Sequence, residues 1–183
     1  MRILLINPPG WQSGSVSLGL GYLASILAKE GHEVKVLDET GKPLAAEAVA
    51  QRVQQFRPAL VGFHCKTAQA NACSRMSEAI KRAYPSAMHV IGGPHITLCF
   101  EEYLRDNPGF EYGFIGEADI NFAEFCRRVE EGRPVKDIPG IAYREDGRVV
   151  GTERQLITAL DELPRPDFDL IEGFSWDDFR YPL

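Results

Sequence analysis

Five short apolar runs recur along this chain, each closed by a turn residue and followed by a helical stripe, and this alternation restricts the fold more than any other feature. The first run, Ile3-Leu4-Leu5-Ile6, has no polar residue on either side of its zigzag and stops at Asn7-Pro8-Pro9-Gly10. That pattern suits a central parallel strand buried on both faces. Strands are predicted over residues 2–7, 33–37, 59–63, 89–91 and 112–115. Helices are predicted over 18–30, 45–56, 71–84, 98–105 and 118–130, with Gly31, Pro58 and Pro85 placed where helices stop. Crossovers of this length imply βαβ units, and hence an α/β, doubly wound, Rossmann-like (flavodoxin-like) parallel sheet of five strands in the order 2-1-3-4-5. Ligands of such sheets bind beyond the carboxyl ends of the strands, here the loops after strands one, three, four and five.

The remainder reads differently. Residues 139–150 carry Glu145-Asp146-Gly147-Arg148 between two apolar segments, a β-hairpin with Asp-Gly at its turn. After it, Leu163-Pro164-Arg165-Pro166 begins an extended, proline-rich tail. The organisation expected is a domain over 1–135, a hairpin extension over 136–160 and a linker over 161–183.

The 183 residues, 44% hydrophobic and 25% charged, have ordinary globular composition. A net charge of −6, with no basic run longer than Arg127-Arg128, argues against nucleic acid as a partner. No apolar stretch approaches membrane-spanning length and Met1-Arg2 leads straight into a strand, so no membrane partner and a cytoplasmic location are expected. Cys65, Cys73, Cys99 and Cys126 show neither zinc nor CxxC spacing and read as small apolar residues.

The residues that carry information lie at the predicted ligand edge. Ile91-Gly92-Gly93-Pro94-His95 follows the fourth strand, and two glycines there let a backbone approach something large. Asn7-Pro8-Pro9 is a rigid turn after the first strand, and Trp11 just beyond it either covers a flat ligand or packs on a helix. Gly19 and Gly21, within Leu18-Gly19-Leu20-Gly21-Tyr22, do not make a dinucleotide fingerprint, and close packing or ligand approach accounts for them. His64 is either an ordinary histidine or a ligand contact. Thr67 either caps the next helix or donates to a ligand. Gly116-Glu117 places a carboxylate at a helix start, where it stabilises the helix dipole or borders a ligand. No carboxylate pair and no nucleophile with a base stands out, so the pattern favours holding a cofactor over catalysis by side chains.

In series, Asn7-Pro8-Pro9, Leu18-Gly19-Leu20-Gly21-Tyr22-Leu23-Ala24, Gly31-His32-Glu33-Val34, the stretch 58–62, Gly92-Gly93-Pro94-His95, Gly116-Glu117 and Ile138-Pro139-Gly140-Ile141 resemble the amino-terminal domain of cobalamin-dependent radical S-adenosylmethionine (SAM) enzymes. The resemblance implies a cobalamin-binding domain of a methyltransferase or related radical enzyme, the corrin over the carboxyl edge of the sheet and the nucleotide tail inserted beside it at Gly92 and Gly93. Asn7, Pro8, Pro9, Leu18, Gly19, His64, Thr67, Pro94, His95, Gly116 and Glu117 would border the cofactor. Other cobalamin domains ligate cobalt with a histidine in a DxHxxG loop after the first strand. Asn7-Pro8-Pro9-Gly10-Trp11-Gln12 has none, which implies base-off cobalamin without a protein histidine ligand. The CxxxCxxC motif that binds a [4Fe-4S] cluster and SAM is absent from these residues, so those cofactors would belong to a carboxyl-terminal radical SAM domain of a parent chain, and this chain would not catalyse alone. The residues taken alone leave open a non-enzymatic flavodoxin-like module that holds a nucleotide or flavin or acts as a sensor, and half of a nucleotide-sugar enzyme.

Overall fold

The computed structural model describes residues 1–10, 17–39 and 43–172. Trp11, Gln12 and the part of the expected linker beyond residue 172 lie outside the described residues. In chain order the elements are β1 (Arg2–Asn7), α1 (Leu18–Lys29), β2 (Glu33–Asp38), α2 (Ala46–Phe56), β3 (Leu60–His64), a 3-10 turn (Thr67–Gln69), α3 (Ala70–Ala83), β4 (Met88–Gly92), α4 (Pro94–Asp106), β5 (Tyr112–Phe114), α5 (Asp119–Glu131), β6 (Ile141–Glu145), β7 (Arg148–Gly151) and β8 (Ile171–Glu172).

The sheet runs β7-β6-β5-β4-β3-β1-β2-β8. Its centre contains β2, β1, β3, β4 and β5 in parallel, with β1 beside both β2 and β3. The expectation of five strands with a separate hairpin and tail is corrected to one sheet of eight among the described residues. β6 pairs antiparallel with β5, and β8 pairs parallel with β2. The reason is that both edges of the five-stranded core would otherwise expose unpaired backbone groups, and the later segments supply partners. At the hairpin turn Asp146 and Gly147 both have positive φ, 48° and 77°, as a tight two-residue turn requires.

Alternation sorts the core into two layers. Ile3 and Leu5 of β1 pack with α1 and α5, whereas Leu4 and Ile6 pack on the opposite face with α2, α3 and α4. α4 begins four residues earlier than the apolar stripe suggests, because Pro94 at its first position is preset for a helix start, and it breaks at Cys99 (φ −131°). A continuous apolar pattern does not extend across such a break.

Candidate functional site

The site follows from which side chains are missing on the face covered by α1 and α5. On that face β1 presents Leu5, β3 presents Gly62 and then His64, and β4 presents Val90 and then Gly92. Leu5 is level with Gly62, Gly62 with Val90, and His64 with Gly92. Two glycines in adjacent rows leave a hollow of about 180 Å³ beneath the carboxyl edge of the sheet. Its floor is Leu5, Gly62, Val90, Ile91 and Phe114. α1 contributes Gly19, Leu20 and Leu23, and the start of α5 contributes Ala118, Asp119 and Phe122. The hollow is open at its mouth, so a ligand can enter it from the carboxyl edge.

Each glycine has its own reason. A Cβ on Gly92 would make only ordinary contacts with Phe114, 3.4 Å from its Cβ and 3.9 Å from its carbonyl oxygen, so internal packing does not require a glycine there and the missing side chain enlarges the hollow. Gly93 differs: its φ is +103°, and a Cβ there would lie 2.7 Å from His64 Cδ2 and 2.8 Å from the Cys65 carbonyl oxygen. Gly93 is therefore a glycine that the backbone itself requires, whether or not a ligand lies beside it. Gly21 packs on Pro166, 3.0 Å from the position of its Cβ, whereas a Cβ on Gly19 would meet nothing within 4 Å. Close packing thus explains Gly21 and leaves Gly19 open at the mouth of the hollow.

Polar groups under the edge are tied together. Asn7, buried at the end of β1, donates through Nδ2 to Asp38 Oδ2 (3.1 Å) and accepts at Oδ1 from Gln69 Nε2 (2.9 Å). Gln69 also donates to the Pro8 carbonyl (2.6 Å) and accepts the Lys66 N–H (2.9 Å), which fixes the β1 and β3 loops against each other. His64 Nδ1 lies 3.4 Å from Asn7 Oδ1, an acceptor, so the proton sits on Nδ1. Burial, with Lys66 adding to it, holds the His64 pKa below the usual histidine value, so the ring is neutral at pH 7. Glu117 accepts the Ile157 N–H through Oε2 (3.0 Å). Asp119 is half-buried at the start of α5; burial raises its pKa, its own backbone amide partly opposes this, and Glu117 raises it further.

Of the residues singled out from sequence, Gly19, His64, Gly92, Gly93, Gly116 and Glu117 line the hollow. Leu18 is 56% exposed beside its mouth. Asn7 and Pro8 are buried below the edge and Pro9 is half-buried. Thr67 and Pro94 are exposed, and the His95 ring stands edge-on to Tyr103, 5.4 Å away, so none of these three lines it. Sequence reading missed Gly62 and the apolar floor. A glycine inside an otherwise apolar strand is the signal that marks Gly62. Gln69, the hub of the polar network, carried no signal.

A fold of this kind, with a glycine-lined apolar hollow at the carboxyl edge of a parallel sheet, is that of a Rossmann-like domain built to hold a large ligand. Residues 14–126 match the B12 binding domain, and the chain belongs to that family of cobalamin-binding domains. It is 32% identical over 179 residues to an uncharacterized methyltransferase of Pyrococcus horikoshii, a match covering 93% of this chain and 39% of that protein. It is also 28% identical to an anaerobic magnesium-protoporphyrin IX monomethyl ester cyclase of Synechocystis, covering 83% of this chain and 32% of the cyclase. The chain thus spans between about a third and two fifths of the length of these relatives.

Among solved structures, the fold is shared with the radical SAM methyltransferase TsrM of Kitasatospora setae with cobalamin and a [4Fe-4S] cluster bound (TM-score 0.75, 23% identity, 90% of this chain and 31% of TsrM). It is shared too with the cobalamin-dependent SAM radical enzyme OxsB with aqua-cobalamin and SAM bound (TM-score 0.81, 17% identity, 92% of this chain and 24% of OxsB).

Proposed function

We propose that this domain holds cobalamin base-off, with the corrin over the carboxyl edge of the sheet and the nucleotide tail in the hollow between α1 and α5. The observation that carries this reading is the hollow itself. Its walls are apolar, its size suits a substituted bicyclic aromatic base, and Gly19, Gly62 and Gly92 deny it the side chains that would fill it. Leu18 and Ile120, 56% and 51% exposed at the first turns of α1 and α5, offer an apolar rim for the macrocycle. Gly116, Glu117 and the β1 and β3 loops border the same edge. Pro94 and His95 enter the proposal only as supports of the turn, since neither lines the hollow.

Cobalamin, when bound, supplies an alkylatable cobalt centre; the chain's own residues orient it and shield its tail from water. No group of three or more His, Cys, Asp or Glu side chains is arranged to hold a metal among the described residues. His64, the histidine of the hollow, is turned through Nδ1 to Asn7 and sits beneath the edge. We assign it a packing role against the tail and no bond to cobalt. Base-off coordination is tested by the EPR spectrum of bound cob(II)alamin, which should lack nitrogen hyperfine splitting. A nitrogen splitting that persists in His64→Ala would show the cofactor's own base on cobalt and overturn base-off binding, and one that disappears in His64→Ala would overturn the packing role given to His64.

For the whole protein, we infer a radical SAM enzyme in which residues 1–135 form the cofactor domain, 136–160 an extension, and 161–183 lead towards the radical domain. The support is that relatives over two and a half times the length of the match include an uncharacterized methyltransferase and a cyclase. The [4Fe-4S] cluster and SAM would be held there. A chain extended to the length of those relatives, reconstituted with iron and sulfide and supplied with a one-electron reductant such as dithionite, should cleave SAM, and the 183-residue chain under the same conditions should not.

A further inference from the structure

Residues 152–157 lie beyond the stretch that matches the family, yet they fold back onto the same edge of the sheet. Leaving β7, Thr152 Oγ1 donates to the Ile138 carbonyl (2.6 Å) and accepts the Ile141 N–H (2.9 Å). The Gly140 N–H then donates to the Glu153 carbonyl (3.1 Å), and the Ile157 N–H donates to Glu117 Oε2 (3.0 Å). Held at both ends, the segment lays the stem of Arg154 over two glycines. A Cβ on Gly116 would lie 3.2 Å from Arg154 Cδ, and one on Gly140 would lie 3.7 Å from Arg154 Cβ. Gly116 is itself part of the wall of the hollow.

Charge makes this placement informative. The carboxylates of Glu117 and Asp119 make the start of α5 acidic, and the chain carries six more negative than positive charges. An anion would be repelled there unless a cation stood close by. Arg154 is exposed and forms no ion pair among the described residues, although its stem is fixed against the wall. The nucleotide tail of cobalamin contains one anionic phosphodiester between the corrin side chain and the ribose. A guanidinium matches two phosphate oxygens at once, which a lysine ammonium does not.

We propose that Arg154 binds the phosphodiester of the cobalamin tail, so that the segment 152–157 is a wall of the cofactor site. The inference rests on the tail lying in the hollow, and the test separates the two claims. Binding of hydroxocobalamin is compared with binding of cobinamide, which lacks phosphate, ribose and base, for the wild-type chain, Arg154→Ala and Arg154→Met. The methionine variant keeps an apolar stem over Gly116 while removing the charge. Both variants should weaken cobalamin binding by about ten-fold or more. Cobinamide binding should change less than about two-fold, and cobalamin binding by the wild type alone should weaken as salt rises, as a screened charge contact does. Equal losses for the two corrinoids would make Arg154 a general support of the site and overturn the assignment. Unchanged cobalamin binding in both variants would overturn it as well. A wild-type chain that bound neither corrinoid would instead refute the cobalamin reading on which the inference stands.

Discussion

Gly19 separates what the fold needs from what the ligand needs. It is the second residue of α1, exposed, with a φ that any L-residue tolerates, and a Cβ added there meets nothing within 4 Å. Internal packing gives no reason for a glycine, which in a helix costs about 0.5–1 kcal/mol relative to alanine. Gly19→Ala should therefore stabilise the apo domain by about 0.5–1 kcal/mol, a rise of about 1–4 °C in Tm for a chain of this size. Gly19→Phe should leave the apo Tm within a few degrees of wild type, since the ring projects from an exposed first turn into the mouth of the hollow. It should nevertheless lose cobalamin, because the ring takes space the tail requires. The assay pairs thermal unfolding followed by circular dichroism with titration of hydroxocobalamin against each variant. If Gly19→Phe bound cobalamin as tightly as wild type, the start of α1 would not border the cofactor. If Gly19→Ala lowered the apo Tm, the glycine would belong to the fold and the argument from its unused space would fail.

Other outcomes follow from neighbouring residues. Gly93→Ala should cost about 2–4 kcal/mol in urea unfolding, from the positive φ and the contacts with His64 and Cys65; an effect below about 1 kcal/mol would refute the backbone requirement. Gly62→Val should reduce cobalamin binding more than it reduces stability. Its Cβ meets chiefly Leu5 Cδ2, at 2.9 Å, which can turn into the hollow, so equal binding in this variant would place the tail elsewhere. Acidification should destabilise the apo domain. Burial first, then Lys81, holds the His89 pKa down at about 3 against 6.5 in the unfolded chain, so unfolded chains take up the proton first. That contribution is complete above about pH 6.5 and is lost as pH falls towards 3, at about 1.4 kcal/mol per pH unit. His32 and His64, also lowered chiefly by burial, act in the same direction. Urea unfolding between pH 7 and pH 5 should show this slope, and the double variant Ser77→Ala/His89→Phe, which also removes the hydroxyl 2.7 Å from His89 Nδ1, should flatten it.

What the sequence makes legible is what local pattern can encode. The strands of the core announce themselves by runs such as Ile3 to Ile6, buried on both faces, and the helices by their stripes and stops. Gly31 is a good instance, with φ +88° just past the end of α1. The attachment of β6 and β8 to the two edges of the sheet is not legible, since pairing between distant segments depends on the edges left open by the rest of the fold. The same limit applies within the site. Gly92 was visible as part of a doublet, but the hollow also needs Gly62 in the next row, and only the register brings the two together. Gly93 looked equivalent to Gly92 in sequence; its positive φ shows that one glycine serves the ligand and the other the chain. Gln69, which joins Asn7 and Pro8 to Lys66, is an ordinary polar residue until the β1 and β3 loops are adjacent.

The central claim is that the hollow between α1 and α5 holds the tail of cobalamin. It is tested most directly by mixing the purified chain with hydroxocobalamin, desalting, and recording the visible spectrum of the protein fraction beside that of Gly62→Val. The account predicts corrin absorbance at about one equivalent on the wild-type chain and its loss from the variant, with both proteins folded. A folded wild-type chain that retained no corrin, or a folded variant that retained as much as wild type, would contradict it.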